Sequence, residues 1–340
     1  MGNEVGAFTI CSNNYLGQAM ALKRSLLSHN QQMRFWIILV DELSDQVNYS
    51  DFAPAEVISV SSIPNIDLED LIARYYIIEL NTSVKPSVFK YLKNKHPELE
   101  LLYYLDPDLY FYNSLSECNS ILKENSLVLT PHILSPIQRD GLLPDENVFL
   151  QFGIYNLGFA GMNLKHKEIE GILDWWEERV IKFGYDKANK GYFVDQLWMA
   201  HAPLFFEGVQ ILTTYNYNMA PWNLHERDIK SIDGNTILLN DNSELVFYHF
   251  SKITSDEIKI SREFNRYNLT DFPLLLSLYK DYYKELERCE FNKYRSIPIA
   301  FQVKPSPSAK TNNPTEKRSP KRKNLLSRFF LKLSKIFDSN

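Results

Sequence analysis

The chain has 340 residues, 44% hydrophobic and 23% charged, with a formal net charge of −5. This composition excludes a mainly disordered chain, a collagen-like repeat and a disulfide mini-scaffold, and three scattered cysteines without a CxxC pair argue for a reducing compartment and against a structural zinc site. The charge is uneven: residues 304–340 hold ten Lys or Arg against Glu316 and Asp338, a net +8, which leaves −5 − 8 = −13 for the rest and makes that acidic body an unlikely nucleic-acid binder.

The opening MGNEVGAFTIC has no basic n-region or apolar h-region, so it does not read as a signal peptide, and Gly6 stands where a myristoylation pattern wants Ser or Thr. No run of 18 apolar residues suggests a membrane span. Apolar runs at 5–11, 34–40, 56–60, 100–105 and 126–130 read as buried strands, alternating with helical patterns at 17–29, 67–80 and 84–95. That alternation predicts an α/β fold with a mostly parallel central sheet covered by helices. Further on, 154–164 reads as a strand pair or bend, 168–183 as a helix, 211–218, 236–240 and 245–250 as short strands, and 272–288 as a last helix. Residues 303–323 are rich in Pro, Ser, Thr and Lys and read as a disordered basic linker, leaving 1–302 as one catalytic domain. On a helical wheel Leu325, Leu326, Phe329, Phe330, Leu333, Ile336 and Phe337 fall within about a 140° arc, with Arg328, Lys332 and Lys335 opposite and only Leu331 out of place. A basic amphipathic helix of this kind suits an anionic membrane surface, here the inner face of the cell membrane with the protein otherwise cytoplasmic.

The chemically richest stretch is LLYYLDPDLYFYN, residues 101–113, where an apolar strand ends in Asp106 and Asp108. In open α/β sheets ligands bind beyond the carboxyl ends of strands. Carboxylates at i and i+2 of an extended segment project to one side. Two hard oxygen ligands there can hold Mn²⁺ or Mg²⁺, which can bridge a diphosphate.

With this motif on the page, the chain resembles a GT-A fold nucleotide-sugar glycosyltransferase, most similar to the retaining, glycogenin-like (family 8-like) group of bacterial polysaccharide type. The matching motifs run in the family's order over residues 5–255. The resemblance implies that Ser12, Asn13, Asn14 and Tyr15 touch the base and ribose of a nucleotide, with UDP the expected one. Lys85 would bring positive charge to the donor, with Lys90 one turn and a residue further on. Asp106 and Asp108 would hold the metal and the donor, and Asn156 and Gly158 would lie beside the sugar. Asp195 would contact the transferred sugar or acceptor, and Gln196 would lie near the anomeric carbon. A carboxylate at Asp195 could also serve as a base and invert, whereas the resemblance implies retention. His249, at the end of a late strand, would be the third metal ligand. The family's His-x-x-Gly-x-x-Lys-Pro-Trp continuation is missing, so Lys252, Lys259 or Arg262 would replace its diphosphate-binding lysine.

Two loops suit an acceptor side: 130–141, with His132 and Arg139, and 215–228, with Tyr217, Trp222, Asn223, His225, Glu226 and Arg227. The expected activity is metal-dependent transfer of a sugar from a nucleotide-sugar donor to a glycan or lipid-linked glycan. The competing readings are a catalytically inactive nucleotide- or carbohydrate-binding scaffold at the membrane and a sugar-nucleotide pyrophosphorylase. The latter wants a Gly-rich, Arg-containing loop where this chain has CSNNYLGQ. A DxDxT-type phosphatase would want Thr at the position of Tyr110.

Overall fold

A computed structural model describes residues 4–253 and 259–301. In chain order, β1 (Val5–Cys11), α1 (Leu16–His29), β2 (Arg34–Leu39) and β3 (Glu56–Ser59) come first. Helices α2 (Leu68–Arg74), α3 (Ile77–Ser83) and α4 (Lys85–Lys95) lead to β4 (Leu101–Leu105) and β5 (Leu109–Phe111). Then follow α5 (Ser116–Lys123), β6 (Leu127–Pro131), α6 (Glu146–Phe152), β7 (Tyr155–Asn163) and α7 (Ile169–Phe183). A small hairpin, β8 (Asp186–Lys187) and β9 (Tyr192–Phe193), precedes α8 (Ala202–Phe205) and β10 (Val209–Ile211). The last elements are β11 (Ile229–Asp233), β12 (Thr236–Leu239), β13 (Phe247–His249), α9 (Pro273–Arg288) and α10 (Phe291–Arg295).

Seven strands form one sheet in the order β10-β6-β7-β4-β1-β2-β3. All neighbouring pairs are parallel except those of β7, which runs antiparallel to both β4 and β6. The α/β class and mostly parallel sheet are those expected from the sequence. Because both faces are covered, the strands are apolar on both sides. Phe8, Ile10, Trp36, Ile38, Leu102 and Tyr104 pack against α2, α3, α4 and α7. Ala7, Cys11, Phe35, Ile37, Tyr103 and Leu105 pack with α1, α5 and the residues around α10 on the opposite face. The chain lays β2 and β3 on one side of β1 and then places β4 on the other. The gap beyond the carboxyl ends of β1 and β4 is therefore a topological switch point, the place where such sheets bind ligands.

Three expectations change. Residues 154–164 form neither a strand pair nor a bend: β7 is one nine-residue strand, wholly buried, with a register shift only where β6 passes Thr130. The helical pattern at 67–80 is two helices, because Tyr76 takes an extended conformation and caps α3, its N–H donating to Glu79. Of 211–218 only Ile211 is in a strand, and the remainder is loop with Asn218 at φ 61°. No helix among the described residues is long and apolar enough to cross a membrane. The expected linker at 303–323 and helix at 324–338 lie outside the described residues.

Candidate functional site

The turn Asp106-Pro107-Asp108 leaves β4 at the switch point. It is pinned from both ends: the Asp106 N–H donates to Gly158 C=O at 2.7 Å, and the Phe250 N–H donates to Asp108 C=O at 2.9 Å. β5 then pairs antiparallel with β13 in the register His249 opposite Leu109, which brings His249 back over the turn. Its Nε2 lies 3.0 Å from Asp108 Oδ1 and 3.9 Å from Asp106 Oδ2. One ligand atom from each of Asp106, Asp108 and His249 falls within 4.8 Å of the others. Gly158 faces this cluster across the β4–β7 pair. A Cβ there would stand 2.7 Å from His249 Cε1, 2.8 Å from Asp106 Oδ2 and 2.9 Å from Asn156 Oδ1, so only glycine leaves the room.

Two carboxylates and one imidazole make a hard, mixed O/N donor set that fits Mn²⁺ or Mg²⁺. Burial pushes the Asp108 carboxyl up, but the facing His249 imidazole outweighs it and holds the group below its usual value. Burial likewise pulls His249 down, and Asp108 followed by Asp106 overcomes this and raises it. The Tyr104 hydroxyl, unremarked in the sequence, donates to Asp106 Oδ1 from inside the sheet.

Beside the cluster sits a buried ion pair. Lys85, the first residue of α4, places Nζ 2.8 Å from Asp195 Oδ2, donates to Leu157 C=O at 3.0 Å and lies 4.0 Å above the Tyr104 ring. Burial raises the Asp195 carboxyl, and the Lys85 ammonium offsets only part of the rise. Gln196 is spent on the backbone: its Oε1 accepts from Leu157 N–H at 3.0 Å and its Nε2 donates to Phe152 C=O at 2.6 Å. Gly153, at φ 115°, lets the chain pass over that side chain. Asn156 joins a buried polar network, 3.3 Å from His132 Nε2 and accepting from Asn218 Nδ2 at 3.3 Å. Lys90 points away and pairs with Asp174 at 2.7 Å and with Glu177.

The turn after β1 divides its work. Asn13 is locked: its N–H donates to Asp41 Oδ2 at 3.1 Å, its Nδ2 donates to Glu42 C=O at 2.8 Å, and its Oδ1 accepts from Tyr49 at 2.7 Å. The Ser12 hydroxyl donates to Asn14 at 2.6 Å. Of the four residues only Tyr15 lines the adjoining cavity of about 410 Å³. Gln18 of α1, Tyr283 and Glu287 of α9, Phe291 and Arg295 of α10, and Lys252 and Arg262 also line it. Lys252 and Arg262, two of the three lysine replacements considered, thus reach the cavity, and Lys259 is not among its lining residues. Arg295 had no sequence signal, being one more cation on a surface helix. Lys252 stands three residues past His249 at φ 54°, a left-handed conformation that a non-glycine residue adopts uncommonly.

The two loops expected on an acceptor side, 130–141 and 215–228, are tied together rather than open. Glu226 accepts from Leu134 N–H at 2.8 Å and from Ser135 Oγ at 2.9 Å, while Arg227 Nη1 donates to Tyr217 C=O at 2.6 Å. Asn223 Nδ2 donates to His132 C=O at 3.1 Å, and His225 Nε2 lies 3.0 Å from Ser135 C=O. Trp222 meets His249 edge to face at 5.1 Å and so walls the cluster. His132 is buried beneath it, and burial drives its pKa down to about 3. Arg139 lines a separate hollow of about 210 Å³ with Asp140 and Glu146.

No protein-family model matches this chain. It is similar to two uncharacterized proteins of Bacillus subtilis (strain 168). YfnF is 29% identical over 285 residues, 80% of this chain and 89% of the relative; YfnD is 25% identical over 292 residues, 82% and 88%. Among solved structures, it is similar to the galactosyltransferase LgtC in complex with donor and acceptor sugar analogs, at 16% identity and a TM-score of 0.45, over 73% of this chain and 87% of that one. The glycosyltransferase GlyE of Streptococcus pneumoniae TIGR4 is also similar, at 16% identity and a TM-score of 0.40, over 63% of this chain and 47% of that one. At such identities and scores the likeness carries no functional weight, which rests instead on the side-chain geometry.

Proposed function

We propose that this chain is a divalent-metal-dependent glycosyltransferase. It would move a sugar from a nucleotide-sugar donor, a UDP-sugar, to a glycan or lipid-linked glycan acceptor with retention. One observation carries the reading: a convergent Asp106–Asp108–His249 donor set, kept clear by Gly158, beside a cavity that joins a tyrosine ring to three cations. A pyrophosphorylase would want a Gly-rich, Arg-containing loop where the chain has CSNNYLGQ, and a DxDxT-type phosphatase would want Thr where it has Tyr110.

The nucleotide would lie in the cavity with Tyr15 against it and the diphosphate toward Lys252, Arg262 and Arg295. Mn²⁺ or Mg²⁺ held by Asp106, Asp108 and His249 would supply electrostatic stabilisation of the leaving diphosphate. Asn156 and the Gly158 backbone would flank the sugar, and the Lys85–Asp195 pair would fix its orientation and that of the incoming hydroxyl. Gln196, with both amide atoms bound to backbone, would hold the wall at Leu157 rather than attack carbon. Catalysis would belong to residues 1–302; the basic linker 303–323 and the amphipathic helix 324–338 would bring them to the anionic inner face of the cell membrane.

Calorimetric titration of UDP and of GDP, each with and without Mn²⁺, tests the reading on wild type and Asp108→Asn. The expected result is Mn²⁺-dependent UDP binding that the substitution abolishes. A preference for GDP would change the donor class. No metal-dependent binding of either by the folded protein would overturn the assignment.

A further inference from the structure

The two carboxylate oxygens of Asp106 have different surroundings. Oδ2 faces the cluster: it lies 3.9 Å from His249 Nε2 and 2.8 Å from where a Cβ at Gly158 would stand. Oδ1 accepts from the Tyr104 hydroxyl, inside the sheet. The cause is local. Tyr104 and Asp106 stand two residues apart as β4 runs out into the turn, so both side chains project to one side of an extended segment.

Tyr104 is fixed from every direction. It is 3% exposed, on the central strand of the seven, and its backbone pairs with Phe8 of β1 and Ala160 of β7. Its ring meets Phe8 at 5.4 Å, and Lys85 Nζ stands 4.0 Å over it. Lys85 is held in turn by Asp195 and by Leu157 C=O. The Asp106 backbone is anchored separately, its N–H donating to Gly158 C=O. An aspartate turns easily about its last side-chain bond. With ring and backbone both fixed, the hydroxyl therefore decides which oxygen Asp106 presents to the cluster.

We propose that Tyr104 is a positioning residue that makes Asp106 a one-oxygen metal ligand, and that it thereby selects Mn²⁺ or Mg²⁺ over Ca²⁺. The inference rests on the metal-dependent transferase reading and adds to it the residue that sets the ion. Ca²⁺ takes about six to eight oxygen ligands and readily uses a carboxylate through both oxygens, whereas Mg²⁺ and Mn²⁺ suit octahedral sites. With Oδ1 tied to Tyr104, Asp106 withholds the second oxygen that the larger ion exploits. Without the hydroxyl, the carboxylate is free to turn both oxygens toward the cluster, which favours Ca²⁺ and loosens the hold on Mn²⁺.

The test measures metal binding, not turnover. Mn²⁺ is titrated into the full chain with UDP present, against a UDP-only blank, and free Mn²⁺ is read by electron paramagnetic resonance. Ca²⁺ is then added to displace it. In wild type, displacing half of the bound Mn²⁺ should take at least about a ten-fold excess of Ca²⁺. Tyr104→Phe keeps the ring and removes the hydroxyl. Its Mn²⁺ affinity should fall about ten-fold while its Ca²⁺ affinity holds or rises, so that the preference for Mn²⁺ collapses. Phe89 packs on Phe8 at 4.8 Å. Phe89→Leu loosens the same core without touching the hydroxyl and should leave the preference within about two-fold. Parallel losses of both ions in Tyr104→Phe, or no loss of Mn²⁺, overturn the proposal, as does a preference that Phe89→Leu collapses equally. Equal competition by Ca²⁺ in wild type overturns it whether or not the variants fold. A wild type that binds no Mn²⁺ sinks the transferase reading itself.

Discussion

Single residues decide whether this site can exist, and the Lys85–Asp195 pair is the most exposed to test. Both side chains are buried, at 3% and 1% exposure, and each neutralises the other. Removing one partner leaves an uncompensated charge in a dry interior, which typically costs about 3–5 kcal/mol. Lys85→Met and Asp195→Leu should each destabilise by roughly that amount in urea unfolding. The double variant should cost clearly less than their sum, and additive costs would show that the two charges are not coupled. His132 supplies a test in pH. Its folded-state pKa of about 3 lies far below the ordinary histidine value. Between those values the unfolded chain binds a proton that the folded chain refuses, so stability rises with pH across the window and is lost on acidification, by about 1.4 kcal/mol per pH unit. His132→Phe keeps the ring that stacks on Phe149 at 5.1 Å and removes the titration. From pH 7.5 to 5 the variant's stability relative to wild type should therefore shift in its favour by about 2 kcal/mol. A difference that stays constant with pH would refute the buried, neutral imidazole.

At the scale of elements, the strands were legible and some junctions were not. Runs such as VGAFTIC and LLYYL are apolar at every position because helices cover both faces of the sheet, and no other short element has that pattern. The segment 154–164 reads as a strand pair or bend, and its glycines resemble punctuation. In the fold they answer close approach instead, Gly158 to His249 and Asp106, and Gly161 to Tyr103, whose ring would lie 2.5 Å from an added Cβ. The same blindness hid α10. A five-residue helix has almost no periodicity to read, yet it closes against α1 and places Arg295 in the cavity. Three-dimensional convergence, not spacing, makes that arginine interesting. If Arg262 and Arg295 meet the diphosphate, Arg262→Gln and Arg295→Gln should each weaken UDP binding about ten-fold, the weight of one charge-assisted hydrogen bond. Uridine, which lacks the phosphates, should bind both variants as it binds wild type. An equal loss for uridine would place the arginines against the base or in the packing.

The whole molecule divides its charge between a body and a tail, and that division yields a prediction independent of the chemistry. A body near −13 is repelled by anionic lipid, and it can approach such a surface only if something else attracts it. The tail can do this twice over: ten cations within 37 residues, and seven apolar side chains within about a 140° arc of one helical wheel. Near an anionic surface each Lys or Arg contributes about 1 kcal/mol, screened within a Debye length of about 8 Å at physiological salt. Binding by the full chain should therefore be strengthened by anionic lipid, which adds the attraction of the tail's cations to apolar insertion, and that added part should weaken steeply with salt. In co-sedimentation with vesicles of phosphatidylglycerol and phosphatidylcholine, the full chain should pellet at 0.1 M NaCl and largely stay in solution at 0.5 M. Pure phosphatidylcholine should retain much less of it, since only apolar insertion then contributes. A chain ending at residue 303 should stay in solution throughout, while its Mn²⁺–UDP affinity matches that of the full chain. If the truncated chain pellets equally well, the membrane contact belongs to the body, and exposed Leu204 and Phe205 become the residues to change next.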